Sequence, residues 1–170
     1  MVPIGLGEFA VCRHSTEILV AYGLGSCLGV GMYDPENRVA GLLHAVLPTR
    51  VNSSAPRSRF VDSGIPLLME EMLAAGSKPK HIRTYLVGGA NMLPREGEGM
   101  EALRIGDRNI AAAREVLAQL GLSITAEDVG GMQGRTVRLY VESGDLTLRT
   151  LGNQEVPITK CFHCTTGSFM

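Results

Sequence analysis

The chain has 170 residues, four cysteines, no tryptophan and a net charge of −1 at neutral pH. That length suits one domain with a sizeable core. The near-zero charge and scarce aromatics argue against binding nucleic acid through charge or base stacking. No stretch is apolar for long enough to span a bilayer, and the start MVPIGLGEFAV lacks the basic-then-apolar order of a secretory leader. The expectation is a cytoplasmic protein with no membrane insertion.

In chain order, residues 17–22 (EILVAY) read as a strand running into the glycine-rich turn Gly23-Leu24-Gly25-Ser26-Cys27. Residues 28–33 (LGVGMY) read as the next strand, Asp34-Pro35-Glu36-Asn37 as a turn, and residues 38–47 as the returning strand, which Pro48 stops. Residues 49–59 form a polar loop with three arginines, Arg50, Arg57 and Arg59.

A helix follows, capped by Asp62 or Ser63, with Pro66 in its first turn. Ile65, Leu68, Met69, Met72 and Leu73 form its apolar face, and Gly76 ends it. Residues 81–87 (HIRTYLV) read as a strand entering the tight turn Gly88-Gly89-Ala90-Asn91-Met92, and residues 94–100 as a loop. A second helix starts near Asp107, with Ile110, Ala113, Leu117 and Leu120 on one face and Gly121 at its end. Three further strands, 122–127, 135–141 and 145–151, read as a terminal meander. The fold class is therefore α+β, with one domain over residues 1–151 and a tail from 152 to 170.

The candidate chemistry sits in the first hairpin. If Tyr33 faces Arg38 across the turn, Cys27 faces His44, and directly opposed residues hold their Cβ atoms about 4.5–5.5 Å apart. An imidazole beside a thiol is the arrangement that makes a thiolate nucleophile at neutral pH. Gly29 and Gly31 share that face and leave room over the thiol. The backbone N–H groups of Gly25, Ser26 and Cys27 are placed to hold an oxyanion. A lone cysteine is often only a small hydrophobe; the pairing with His44 and the flanking glycines favour catalysis. Cys161, His163 and Cys164 form a CxxC with an internal histidine near the end of the chain. No second CxxC completes a zinc site, and the plainer reading is a loose tail with incidental thiols. The reading includes no metal and no cofactor.

Five blocks in order carry a resemblance: GLGSC at Gly23–Cys27, GLLHAVLP at Gly41–Pro48, GGANM at Gly88–Met92, IGDRNI at Ile105–Ile110 and AEDVGGMQGR at Ala126–Arg135. Together they resemble CheD, the chemoreceptor glutamine deamidase family, across most of the chain before its last twenty residues. The resemblance implies an amidohydrolase that converts glutamine side chains of methyl-accepting chemotaxis receptors to glutamate. It matches the family's catalytic cysteine to Cys27 and its catalytic histidine to His44. It implies packed mixed sheets flanked by two main helices, like the deamidating domain of cytotoxic necrotizing factor toxins. It also implies two partners, the cytoplasmic helices of chemoreceptors and CheC, a phosphatase of the response regulator. One position departs from the family: where a threonine hydroxyl helps hold the histidine, this chain has Ala21. A backbone carbonyl, Ser26 or Thr49 is left to take that role. A second reading is a catalytically weakened module that docks on receptors or on a CheC-like phosphatase, and Ala21 is the feature that favours it.

Overall fold

The computed structural model describes residues 1–92 and 104–158. The expected loop at 94–100 and the Cys161/His163/Cys164 cluster lie outside those residues. The chain forms three layers. One is a five-stranded sheet of β1 (Val2–Pro3), β3 (Ile18–Leu24), β8 (Arg135–Tyr140), β9 (Leu146–Thr150) and β10 (Val156–Pro157), in that order. The second is a five-stranded sheet ordered β2 (Phe9–Arg13), β5 (Val39–Ala45), β4 (Leu28–Asp34), β6 (Arg83–Gly88) and β7 (Ile124–Val129). The third is the pair of helices α1 (Val61–Ala74) and α2 (Ile105–Gln119). Pairing is antiparallel except for β1 with β3 and β6 with β7, so both sheets are mixed. The α+β expectation agrees with this architecture.

The second sheet is the middle layer. All residues of β4 and β5 are buried, because one face meets the helices and the other meets the first sheet. A strand covered on both faces has no polar side to present, so it reads as a continuous apolar run. Leu28, Val30, Met32, Leu43 and Ala45 pack with Ile65, Leu68, Met72 and Leu117 of the helices. Tyr33, Ala40 and Leu42 pack on the opposite face with Leu19, Ala21, Val137 and Leu146 of the first sheet. On β8, and on β9 as far as Leu148, every second residue is buried, as a strand with one solvated face requires.

Several local expectations change. The helix α1 opens at Val61, with Phe60 before it in extended backbone. Asp62 and Ser63 are therefore inside the helix and do not cap it. The Asp62 carboxylate accepts the Arg50 N–H, and the Ser63 hydroxyl donates to the Arg57 carbonyl. Pro66 falls beyond the first turn. The terminal meander does not form: β7 leaves for the second sheet through the parallel crossover β6–α2–β7, and only β8 and β9 pair. Three short strands, β1, β2 and β10, were not expected at all.

The hairpin register also differs. Asp34 pairs with Val39 and Tyr33 with Ala40, so the turn takes Pro35 to Arg38 and His44 faces Gly29. The cause lies in the turn. The buried Asp34 carboxylate accepts the N–H groups of Glu36 and Asn37 at 2.9 and 3.1 Å, which keeps Asp34 as the last paired residue. Arg38 closes the turn in the left-handed region, at φ 47°. The ladder is thus two positions off the expected one. A shift of two keeps every side chain on its face.

Candidate active site

Cys27 is the residue before β4, and His44 is the last but one residue of β5. They are diagonal neighbours across the ladder rather than directly opposed, a relation with separations of about 7–8 Å at the backbone and somewhat less between Cβ atoms. Both look toward the first sheet. His44 alternates with Ala40 and Leu42, which pack there, and Cys27 packs against the same cluster. The space over the glycines is not open as expected. A Cβ on Gly29 would meet Leu24 at 2.9 Å, and one on Gly31 would meet Leu146 at 3.0 Å. These glycines admit leucines from the facing sheet.

The imidazole of His44 is 2% exposed. Its Nδ1 lies 3.2 Å from the carbonyl oxygen of Ile4. A carbonyl can only accept, so Nδ1 carries the proton and Nε2 keeps its lone pair. Nε2 is buried and has no hydrogen-bond partner among the described residues. The Ile4 carbonyl is brought there by β1. Val2 and Pro3 pair in parallel with Leu19 and Val20, and the Ile4 N–H donates to Val20 at 2.7 Å. Continued by one residue, that register sets Ile4 beside Ala21, whose methyl is fully buried on the face that looks toward His44. Of the groups left to hold the imidazole at the sequence level, the backbone carbonyl is the one found there. Ser26 and Thr49 make no side-chain hydrogen bond to it.

The loop after β1 stitches the end of β5 in place. Gly7 N–H donates to the His44 carbonyl at 2.8 Å, and His44 N–H donates to Glu8 at 2.9 Å. The Ser58 hydroxyl donates to the Gly7 carbonyl, and Arg59 accepts the N–H groups of Val46 and Leu47. Apart from His44, the sequence reading gives none of these residues a place in the site; Arg59 is there a residue of the polar loop.

Burial dominates the electrostatics. It pushes the thiol of half-buried Cys27 above its ordinary 9.0, with its own N–H and the Arg59 guanidinium pulling the other way. It pushes His44 below 6.5, against the Ile4 hydrogen bond and the Glu8 carboxylate. For each group, burial disfavours the charged form.

The backbone of the glycine-rich turn is held from one side. The carbonyls of Gly25, Ser26 and Cys27 accept, in turn, from Ala90 N–H, Asn109 Nδ2 and Gly89 N–H, each at 2.8 Å. The peptides are trans, so the N–H groups of Ser26 and Cys27 point away from those anchors. Close approach explains the glycines of the partner turn. Gly88 sits at φ 106°, and a Cβ there would lie 2.5 Å from the Cys27 carbonyl oxygen.

Among the described residues no group of three or more His, Cys, Asp or Glu side chains is gathered to hold a metal ion. No helix among them is long and apolar enough to cross a membrane.

The family model "CheD chemotactic sensory transduction" matches residues 46–150, a span that begins just past His44. Full-length relatives extend the likeness over the hairpin. "Probable chemoreceptor glutamine deamidase CheD" of Caldanaerobacter subterraneus subsp. tengcongensis is 41% identical over 152 residues, 88% of this chain and 93% of that protein. The protein of the same description from Thermococcus kodakarensis is 39% identical over 157 residues, 91% of this chain and 96% of that one. Among solved structures, Bacillus licheniformis hypothetical protein YfiH superposes with a TM-score of 0.44 at 15% identity, covering 72% of this chain and 49% of its own. By the family model and by relatives aligned over most of its length, the chain belongs to the CheD family.

Proposed function

We propose that this protein is a chemoreceptor glutamine deamidase, in which Cys27 is the nucleophile and His44 the general acid–base. The observation that carries the proposal is the state of His44: Nδ1 is committed to the Ile4 carbonyl, and Nε2 is buried, without a hydrogen-bond partner among the described residues, and on the face shared with the thiol. Nε2 takes the thiol proton as sulfur attacks the glutamine carboxamide carbon. Burial disfavours the charged form of both groups, which suits proton transfer that accompanies attack. The oxyanion is met by the N–H groups of Ser26 and Cys27, which the anchored carbonyls of Gly25 and Ser26 direct away from the turn after β6 and from α2. The imidazolium returns its proton to the departing ammonia and leaves a thioester. Water deprotonated by Nε2 then releases glutamate and restores the thiol. Acid–base help of this kind is worth about 10²–10⁴-fold in rate. The names of the relatives at 41% and 39% identity support the reaction and the receptor substrate.

Ala21 favours the alternative, a receptor- or CheC-docking module with little catalysis. The Ile4 carbonyl beside that position weighs against it, since it supplies the acceptor a threonine hydroxyl would offer. Release of ammonia from a receptor cytoplasmic fragment, with Cys27→Ala as blank, separates the two. Turnover by the wild type supports the deamidase. Binding of the fragment without ammonia release supports the docking module.

A further inference from the structure

One fully buried polar side chain stands behind the reacting groups just described without being one of them. Asn109, on α2, is 0% exposed. Its Nδ2 donates to the carbonyl of Ser26 at 2.8 Å and to the carbonyl of Val46 at 3.1 Å. Its Oδ1 has no partner among the described residues. A buried amide with one orphaned acceptor costs more than an apolar residue at that place, so the reason for an asparagine lies in what its two donors hold.

What they hold are the two strand ends that carry the site. The Ser26 carbonyl belongs to the peptide whose N–H is that of Cys27. Val46 lies two residues past His44 and would face Cys27 if the Leu28–Ala45 pairing ran on by one step. The ladder stops short of that step. Val46 N–H turns to Arg59 at 2.9 Å, and the Cys27 carbonyl turns to Gly89 at 2.8 Å. The Asn109 amide bridges the gap. Gly106 makes the reach possible, since a Cβ there would lie 2.4 Å from the Gly89 carbonyl oxygen. With α2 seated that closely on the Gly88–Asn91 turn, a residue one turn further along the helix meets the end of β4.

We propose that Asn109 is a positioning residue for the Cys27–His44 pair. It fixes the plane of the Ser26–Cys27 peptide, and so the direction of the Cys27 N–H and thiol. It also clamps the ends of β4 and β5 so that thiol and imidazole stay on one face at a set separation. The part concerning turnover rests on the deamidase reading; the part concerning thiol reactivity does not.

The test uses the full chain with Asn109→Ala and the nearly isosteric Asn109→Asp. Iodoacetamide labelling of Cys27 is followed by peptide mass spectrometry from pH 6 to 10, with Cys12 on β2 as internal reference. Expected in a folded variant is a Cys27 pH profile moved upward, with labelling at pH 8 slowed about fivefold or more, since a pKa rise of one unit cuts thiolate about tenfold. The Cys12 profile stays in place. On a receptor fragment, kcat falls about tenfold to hundredfold with KM nearly unchanged, the effect of a misplaced reacting group. A residue that only stabilised the fold would lower the melting temperature and leave both readouts unchanged per folded molecule; that result overturns the proposal. Should neither variant fold, the wild type decides. The side-chain amide resonance of Asn109 is expected to move when Cys27 is alkylated, and a resonance that stays put overturns the proposal. A shifted labelling profile without ammonia release even from the wild type would retire the deamidase reading and leave the positioning role standing.

Discussion

The Nδ1 of His44 and the carbonyl of Ile4, 3.2 Å apart, join the second sheet of the domain to the first at the candidate active site. The acceptor belongs to the residue that follows β1, a strand only two residues long, and stands beside the position where the family has a threonine. Orientation of the imidazole is thereby moved from a side chain to the main chain.

If that bond suffices, restoring the hydroxyl gains nothing. Ala21→Thr is expected to leave kcat within about twofold of the wild type, where a new orienting bond of about 0.5–1.5 kcal/mol would have raised it threefold to tenfold. In a chain lacking residues 1–4 the Ile4 acceptor is gone, kcat falls, and Ala21→Thr then recovers part of the loss. Steady-state ammonia release from the four proteins checks this. A gain from Ala21→Thr in the full chain would contradict the role given to Ile4.

The resting state of the pair sets the pH dependence of labelling. With the thiol held above 9.0 by burial, alkylation of Cys27 should climb steadily from pH 7 to beyond 9, with no plateau near neutrality. A plateau by pH 7 would mean a resting thiolate–imidazolium pair.

The same shifts bear on stability. His44 is depressed below 6.5 in the fold, so below that pH the unfolded chain takes up the proton first and stability falls as the pH drops. The Cys27 thiol is raised above 9.0, so above that pH the unfolded chain ionises first and stability falls as the pH rises. Their joint contribution is flat between pH 6.5 and 9.0 and declines on both sides. Urea unfolding across pH 5–10 for the wild type, His44→Gln and Cys27→Ala measures it. The acid-side slope should shrink in the first variant and the alkaline-side slope in the second.

Asp34 carries the hairpin register. Its carboxylate accepts from Glu36, Asn37 and Lys78 N–H groups and from the Asn37 side chain. Burial alone would raise its pKa, but these donors hold it below 3.8. Asp34→Ala removes all of these bonds and should destabilise the protein by about 2–4 kcal/mol, read from denaturant midpoints. Asp34→Asn keeps some of the acceptors and should cost less. Equal losses would mean the carboxylate's hydrogen bonds do not set the turn.

The sequence made the central strands legible because they are covered on both faces and read as apolar runs, while β8 and β9 alternate because one face meets water. The short strands β1, β2 and β10 lack both signals. Val2–Pro3 contains a proline, and Phe9–Arg13 is only half-buried along most of its length. The turn chemistry of Asp34-Pro35 marked the hairpin but not its length, since the left-handed Arg38 has no signature in residue type. Cys27 and His44 were placed on a common face because a two-residue error preserves parity. The Ile4 acceptor was invisible because a backbone carbonyl leaves no mark in sequence. Asn109 did leave one: it falls on the buried stripe with Ala113, Val116 and Leu117, and a polar residue among apolar neighbours at helical spacing is worth asking about.

Conversion of receptor glutamine to glutamate by Cys27 and His44 leaves its mark in the mass of the receptor. Mass spectrometry of a receptor cytoplasmic fragment, before and after incubation with the wild type, Cys27→Ala and His44→Ala, tests it most directly. The small mass gain of deamidation is expected at specific glutamines with the wild type alone. The same gain with Cys27→Ala, or none with a folded wild type that binds the fragment, would contradict it.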